Sequence, residues 1–96
     1  MARDRRSRAA RRLAAALFHY RFPPYQGRLL VYADRVVLRY WIGEEANALQ
    51  RWTLEHPAEG LADSLQLGAA ALRCGPGRLV RYGWKLSAGG QTPEAS

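Results

Sequence analysis

Residues 28–42 read RLLVYADRVVLRYWI, two runs of aliphatic and aromatic residues separated by Asp34 and Arg35. Runs of this composition are typical of strands, so we expect a β-hairpin with strands over 28–33 and 36–42. Side chains alternate between the two faces of a strand. One face of the second strand then carries Val36, Leu38, Tyr40 and Ile42, and the other carries Val37, Arg39 and Trp41.

The segment before the hairpin predicts a basic helix over residues 5–21. Five of the eight positions 9–16 are alanine, the best helix former. Apolar residues recur at a spacing of 3.6 residues, and arginines collect on the opposite side. Pro23 and Pro24 would end the helix, because neither donates a backbone amide and the second disfavours helix at its predecessor.

The residues after the hairpin predict two helices and a strand. The first helix spans 44–56, with Ala46, Leu49 and either Trp52 or Thr53 inward, and ends at Pro57. The second spans 58–73 and is stopped by Gly75 and Pro76. Its expected inward face carries Leu61, Leu65, Gly68, Ala69 and Leu72. Residues 79–86 alternate as a strand, with Val80, Tyr82, Trp84 and Leu86 on the apolar face.

These elements predict one small α+β domain of order α-β-β-α-α-β. A three-stranded antiparallel or mixed sheet with helices on one face is the simplest arrangement that buries the apolar stripes. We expect a basic N-terminal helix or arm over 1–22, a compact body over 23–86 and a flexible tail over 87–96. At 96 residues the chain is too short for two independent cores.

The positive charge is concentrated at the N-terminus. The net charge is +7, and residues 1–21 hold seven of the fifteen basic residues but one of the eight acidic ones. Arginine binds phosphate oxygens through paired N–H groups, and terminal blocks of like charge are usually interaction arms. The pattern favours nucleic acid as the partner, with an acidic protein, an anionic lipid surface or an organellar targeting segment as alternatives.

The candidate nucleic-acid-binding residues fall into two groups. The N-terminal group would contact phosphates and comprises Arg5, Arg8, Arg11 and Arg12. The second group would extend the surface over the sheet and comprises Arg39, Trp41, Arg81 and Lys85. Trp41 is expected to be exposed beside Arg39 and to stack on bases. Tyr40, Tyr82 and Trp84 are expected in the core, since strand alternation buries aromatics without any ligand.

The residues that enzymes and cofactors need are sparse. One cysteine, Cys74, and two distant histidines do not form a recognisable zinc site, and no serine lies in a nucleophile elbow. No apolar run is long enough to span a membrane, and a single cysteine fits the reducing cytoplasm. We therefore expect a non-enzymatic, nucleic-acid-associated protein without cofactors. The alternative is a protein-interaction module or homodimer using the aromatic-rich hairpin and helices.

Overall fold

A meander of antiparallel strands forms the framework of the computed structural model, which describes residues 14–87. In that range five strands lie side by side in chain order. They are β1 (Ala16–Phe22), β2 (Tyr25–Val31), β3 (Arg35–Ile42), β4 (Arg51–Pro57) and β5 (Lys85–Leu86). Two helices, α1 (Leu61–Ala71) and α2 (Pro76–Arg81), lie between β4 and β5, and a 3-10 turn (Glu45–Asn47) interrupts the β3–β4 loop.

The predicted hairpin over 28–42 is confirmed by the pairing of β2 with β3, in which Leu29 lies opposite Leu38. The predicted arrangement of the elements is wrong. Neither the order α-β-β-α-α-β nor a three-stranded sheet fits, because two further long strands, β1 and β4, flank the hairpin on its two sides.

The predicted helix over 5–21 is replaced by a strand wherever the structure describes it. Residues 16–22 form β1, which pairs along its whole length with β2; residues 5–13 lie outside the described range. The segment LFHYRF (17–22) also alternates with a period of two, and its aromatic residues favour a pleated surface. Long-range pairing with β2 outweighs the helix propensity of the alanines that precede it, since tertiary context overrides propensity.

The predicted helix over 44–56 is also wrong. Its first half contains the 3-10 turn, and Leu49, expected inward, is 99% exposed. Its second half is β4, in which Trp52 and Leu54 are buried while Arg51 points away from the core. Alternation over RWTLEHP (51–57) is the signal for this strand.

The predicted strand over 79–86 is wrong over most of its length, because its first three residues end the helix α2 and a strand, β5, covers only Lys85–Leu86. Pro76 occupies the first turn of α2, where a missing N–H costs nothing and the fixed φ suits the helix. Leu79 and Trp84 are buried as a result, whereas Val80 and Tyr82, expected inward, are exposed.

One face of the sheet, which we call the core face, packs against the helices. The helix predicted at 58–73 is present as α1, but its buried side carries Ser64, Gly68 and Ala71 rather than Leu61 and Leu65. A Cβ built on Gly68 would lie 3.1 Å from the Leu29 side chain, so α1 approaches β2 closely. The buried cluster comprises Tyr20, Leu29, Val31, Val36, Leu38, Tyr40, Trp52, Leu54, Ala71, Leu79 and Trp84.

Candidate functional site

The second face of the sheet, which we call the open face, carries a concentration of basic side chains. No described helix packs on it, because both helices contact the core face. Strand register places its residues in rows that cross the sheet. One row runs His19, Arg28, Arg39, Thr53; the next runs Arg21, Gln26, Trp41, Arg51; a third runs Leu17, Leu30, Val37, Glu55, Lys85.

Charge is distributed unevenly between this face and the rest of the described residues. The open face and the 3-10 turn beside it hold six basic side chains and two acidic ones: Arg21, Arg28, Arg35, Arg39, Arg51 and Lys85, with Glu45 and Glu55. The remaining residues of 14–87 hold three basic and four acidic ones. The net positive charge of residues 14–87 therefore lies on this surface.

Two arginines of the open face form no ion pair within residues 14–87. Arg28 pairs with Glu45 at 2.9 Å, and Arg35 pairs with Glu55 at 3.3 Å. Within residues 14–87, Arg21 and Arg39 make no ion pair or side-chain hydrogen bond. Arg39 also lies directly opposite Arg28 across the β2–β3 ladder. Like charges in such a position are destabilising, so folding alone gives no reason for this pair.

Trp41 lies on the open face but is not exposed as predicted. Its side chain is 7% exposed, between the cross-strand neighbours Gln26 on β2 and Arg51 on β4. Trp41 is therefore largely buried within this surface, and its ring is not exposed enough for a nucleobase to stack on it.

A cavity of about 340 Å³ opens beside Trp41 between the first three strands and the 3-10 turn. Three hydrogen bonds hold its border. The Gln26 amide Nε2 donates to the Gly43 carbonyl at 2.7 Å, Arg51 Nη2 donates to the Glu45 carbonyl at 2.7 Å, and Arg28 Nη2 donates to the Glu45 carboxylate. The lining residues are His19, Tyr20, Arg21, Gln26, Gly27, Arg28, Trp41 and Glu45.

The structure brings together only part of the predicted site. Arg39, Trp41 and Lys85 share the open face. Arg81 does not, because it ends α2 in the helical layer. The N-terminal candidates Arg5, Arg8, Arg11 and Arg12 lie outside the described residues. Sequence reasoning missed His19, Arg21, Gln26, Arg28 and Arg51.

Burial changes the pKa of two tyrosines on the core face. Desolvation raises the pKa of both Tyr20 and Tyr40 far above the ordinary value for tyrosine. The Tyr20 hydroxyl donates to the Cys74 carbonyl at 2.5 Å, whereas the Tyr40 hydroxyl is buried without a partner in the described part of the chain. Both hydroxyl groups remain protonated at neutral pH, and both side chains pack in the buried cluster.

Residues 14–87 contain no group of three or more His, Cys, Asp or Glu side chains placed to bind a metal ion. Neither described helix has the length and apolarity needed to cross a membrane. No protein family model, no curated protein and no solved structure matches this chain.

Proposed function

We propose that this chain is a non-enzymatic nucleic-acid-binding protein that holds the phosphate backbone on the open face and on the arginine-rich segment 1–12. The observation that carries the proposal is that Arg21 and Arg39 form no ion pair within residues 14–87 and lie on a surface where basic side chains outnumber acidic ones three to one. An arginine fork matches a phosphate in geometry and charge. Its one cysteine fits a cytoplasmic location.

The spacing of the open face suits an extended polyanion. Neighbouring strands lie about 4.8 Å apart, so the row from His19 to Thr53 crosses roughly 14 Å of sheet. A phosphate between Arg28 and Arg39 would lower the repulsion between their two positive charges. Each such contact releases condensed counterions, which makes the affinity depend on salt.

A nucleic acid accounts for this surface better than a lipid bilayer does. Interfacial binding requires apolar side chains that can enter the acyl boundary. On the open face, Val37 and Trp41 are 6% and 7% exposed, so most of its apolar surface is covered. Leu17 alone is a large, exposed apolar residue there, and a single leucine gives little membrane affinity.

Two double variants that remove the same charge test the open face. R21Q/R39Q changes the open face, and R78Q/R81Q changes the helical layer, where both arginines are exposed. Fluorescence anisotropy with labelled nucleic acid over a salt series gives the slope of log affinity against log salt. We expect R21Q/R39Q to lower that slope by roughly 0.7–0.9 for each phosphate that the protein no longer binds, and R78Q/R81Q to lower it much less. Equal effects would contradict the open face as the binding surface.

The N-terminal arginines need their own test. In the full chain, alanine at Arg5, Arg8, Arg11 and Arg12 should lower the slope by up to about 3, again at 0.7–0.9 for each phosphate. An unchanged slope would remove segment 1–12 from the proposal and leave the open face to be judged separately.

A protein-interaction function has one specific observation in its favour, the outer edge of β1, which pairs with no further strand within residues 14–87. Tyr32 N–H donates to Arg35 O, its cross-strand partner, so by alternation the even-numbered residues of β2 bond β3 and the odd-numbered ones bond β1. The β1–β2 register then directs the backbone groups of Leu17, His19 and Arg21 outward. An unpaired edge of this kind can accept a strand from another chain.

Proline at position 19 tests the edge. His19→Pro removes an outward N–H without touching the bonds to β2, and proline is tolerated on edge strands. If the chain self-associates or captures a partner through β1, this variant should lose the association in sedimentation experiments and keep its fold. Association that survives H19P would exclude the edge as the contact.

A further inference from the structure

The cavity beside Trp41 combines groups that differ from those on the rest of the open face. Basic side chains border it, and so do two hydrogen-bond acceptors, the Glu45 carboxylate and the Gln26 side-chain oxygen. Its volume of about 340 Å³ lies within the usual range for small-ligand sites. A mixture of cation, acceptor and indole is unsuited to a bare phosphate, because Glu45 would repel it.

The polar groups of the cavity are held in place by the protein. Glu45 accepts from Arg28 through Oε1 at 2.9 Å, and the turn that carries it is fixed by the bond from Arg51 to its carbonyl. Gln26 is fixed by the bond from Nε2 to Gly43. Glu45 Oε2 and Gln26 Oε1 accept no hydrogen bond within the described residues. Groups fixed before binding lower the entropy cost of recognition.

The fixed acceptors select a planar ligand that donates hydrogen bonds. The guanidinium of Arg28, fixed by Glu45, offers a flat surface for stacking. The exocyclic amine of cytosine or adenine donates to carboxylate and amide oxygens, whereas uracil and thymine present a carbonyl at that position. Arg21 lies at the border of the cavity, and Arg39 lies in the neighbouring row, so phosphates on either side of the base would meet free arginines.

We infer that this cavity binds one unpaired, amine-bearing nucleobase, adenine or cytosine, of a single-stranded nucleic acid, with Glu45 and Gln26 accepting from the exocyclic amine. The inference rests on the proposed function and adds to it a preferred strand form and base. A base inside a duplex is stacked and paired and cannot enter such a cavity, whereas unpaired bases can be splayed into one.

The experiment measures anisotropy with short labelled homopolymers, oligo(A), oligo(C) and oligo(U) as RNA, oligo(dA), oligo(dC) and oligo(dT) as DNA, and a duplex, at one salt concentration. We expect adenine and cytosine strands to bind about tenfold or more tighter than uracil or thymine strands, the factor for one charge-assisted hydrogen bond. Comparing RNA with DNA shows which sugar is preferred. Quenching of tryptophan fluorescence on binding, lost in W41F, should accompany occupancy of the cavity.

A matched pair of variants tests the acceptor. Glu45→Gln removes the lining carboxylate, and Glu44→Gln removes its exposed neighbour, which contacts Asn47 instead. E45Q should bring the ratio of adenine to uracil affinity close to one, and E44Q should keep the wild-type ratio. Because only ratios within one variant are compared, the general effect of losing a negative charge cancels.

These measurements distinguish a failure of the inference about the cavity from a failure of the proposed function. If all strands bind alike, with a salt slope that R21Q/R39Q lowers, the inference about the cavity is overturned and the proposed function stands. A preference for adenine that E45Q leaves intact also overturns it. If no nucleic acid binds, the proposed function and the inference fail together.

Discussion

Replacing Arg39 by glutamine should stabilise the fold while weakening nucleic-acid binding. Arg39 faces Arg28 on β2 and Thr53 on β4, and it has no acidic partner among residues 14–87. Cross-strand charge pairs are worth roughly 0.2–1 kcal/mol. Glutamine retains part of the aliphatic stem that covers the sheet, so its loss of charge is the main change.

The expected gain lies in the lower half of that range, because Glu45 already offsets part of the Arg28 charge. For a domain of this size, 1 kcal/mol shifts the melting temperature by about 4–8 °C, so R39Q should melt a few degrees above wild type. The repulsion is exposed and therefore screened, so the gain should shrink as ionic strength rises. Thermal unfolding followed by circular dichroism at low and high salt measures both effects.

Arg81→Gln is the matched control. Arg81 is an exposed arginine in the last turn of α2, where a cation interacts favourably with the helix dipole. R81Q should therefore lose a few tenths of a kcal/mol and leave nucleic-acid affinity nearly unchanged. A melting temperature of R39Q below that of wild type, or an affinity loss equal to that of R81Q, would refute the reasoning about the open face.

Three further predictions concern the core. Tyr20→Phe should destabilise the fold by about 1–3 kcal/mol because it leaves the Cys74 carbonyl unpaired. Tyr40→Phe should be neutral or stabilising because the Tyr40 hydroxyl has no partner in the described residues. Urea unfolding of the two variants measures the difference. Burial raises the pKa of both tyrosines, so they stay protonated in the folded chain but ionise near pH ~10 in the unfolded chain. The free energy of unfolding should therefore be constant up to that pH and fall above it. A rise in the free energy of unfolding above that pH would contradict the burial of these tyrosines. Gly27→Ala should be strongly destabilising, since its Cβ would overlap the Arg39 carbonyl oxygen on β3; wild-type stability would show that β2 can shift.

The sequence predicts the hairpin and α1 because each is specified locally. The hairpin consists of two dense strand-forming runs, and its register keeps Leu29 opposite Leu38. The helix α1 lies between the turn at Gly60 and the stop at 72–75. The prediction of its buried side is right for Gly68 but wrong for Leu61 and Leu65, because the sheet requires close approach, and small residues such as Gly68 and Ala71 permit it.

The two flanking strands cannot be separated from helices by periodicity alone. Residues 17–22 satisfy both a helical and a strand pattern over a short length, and the deciding factor is a partner strand, β2, that only the folded chain supplies. The error extends to the site. If β1 and β4 are interpreted as helices, then His19, Arg21 and Arg51 do not lie on the same sheet as Arg39. The sequence therefore predicts only about half of the width of the open face.

The sign of the charges on the open face is more informative than the fact that its residues are polar. Alternation in a half-buried sheet requires polar residues on the outer side but not residues of one sign, and oppositely charged neighbours would stabilise the pairing. Here arginine faces arginine, and the acids of residues 14–87 lie mostly on other surfaces. A chain that retains such a pair gives up stability that a single substitution would restore, and sites of this kind are where function is expected. A phosphate bound between Arg28 and Arg39 would attract both guanidinium groups and offset their mutual repulsion, and this links the like-charge pair to the proposed function.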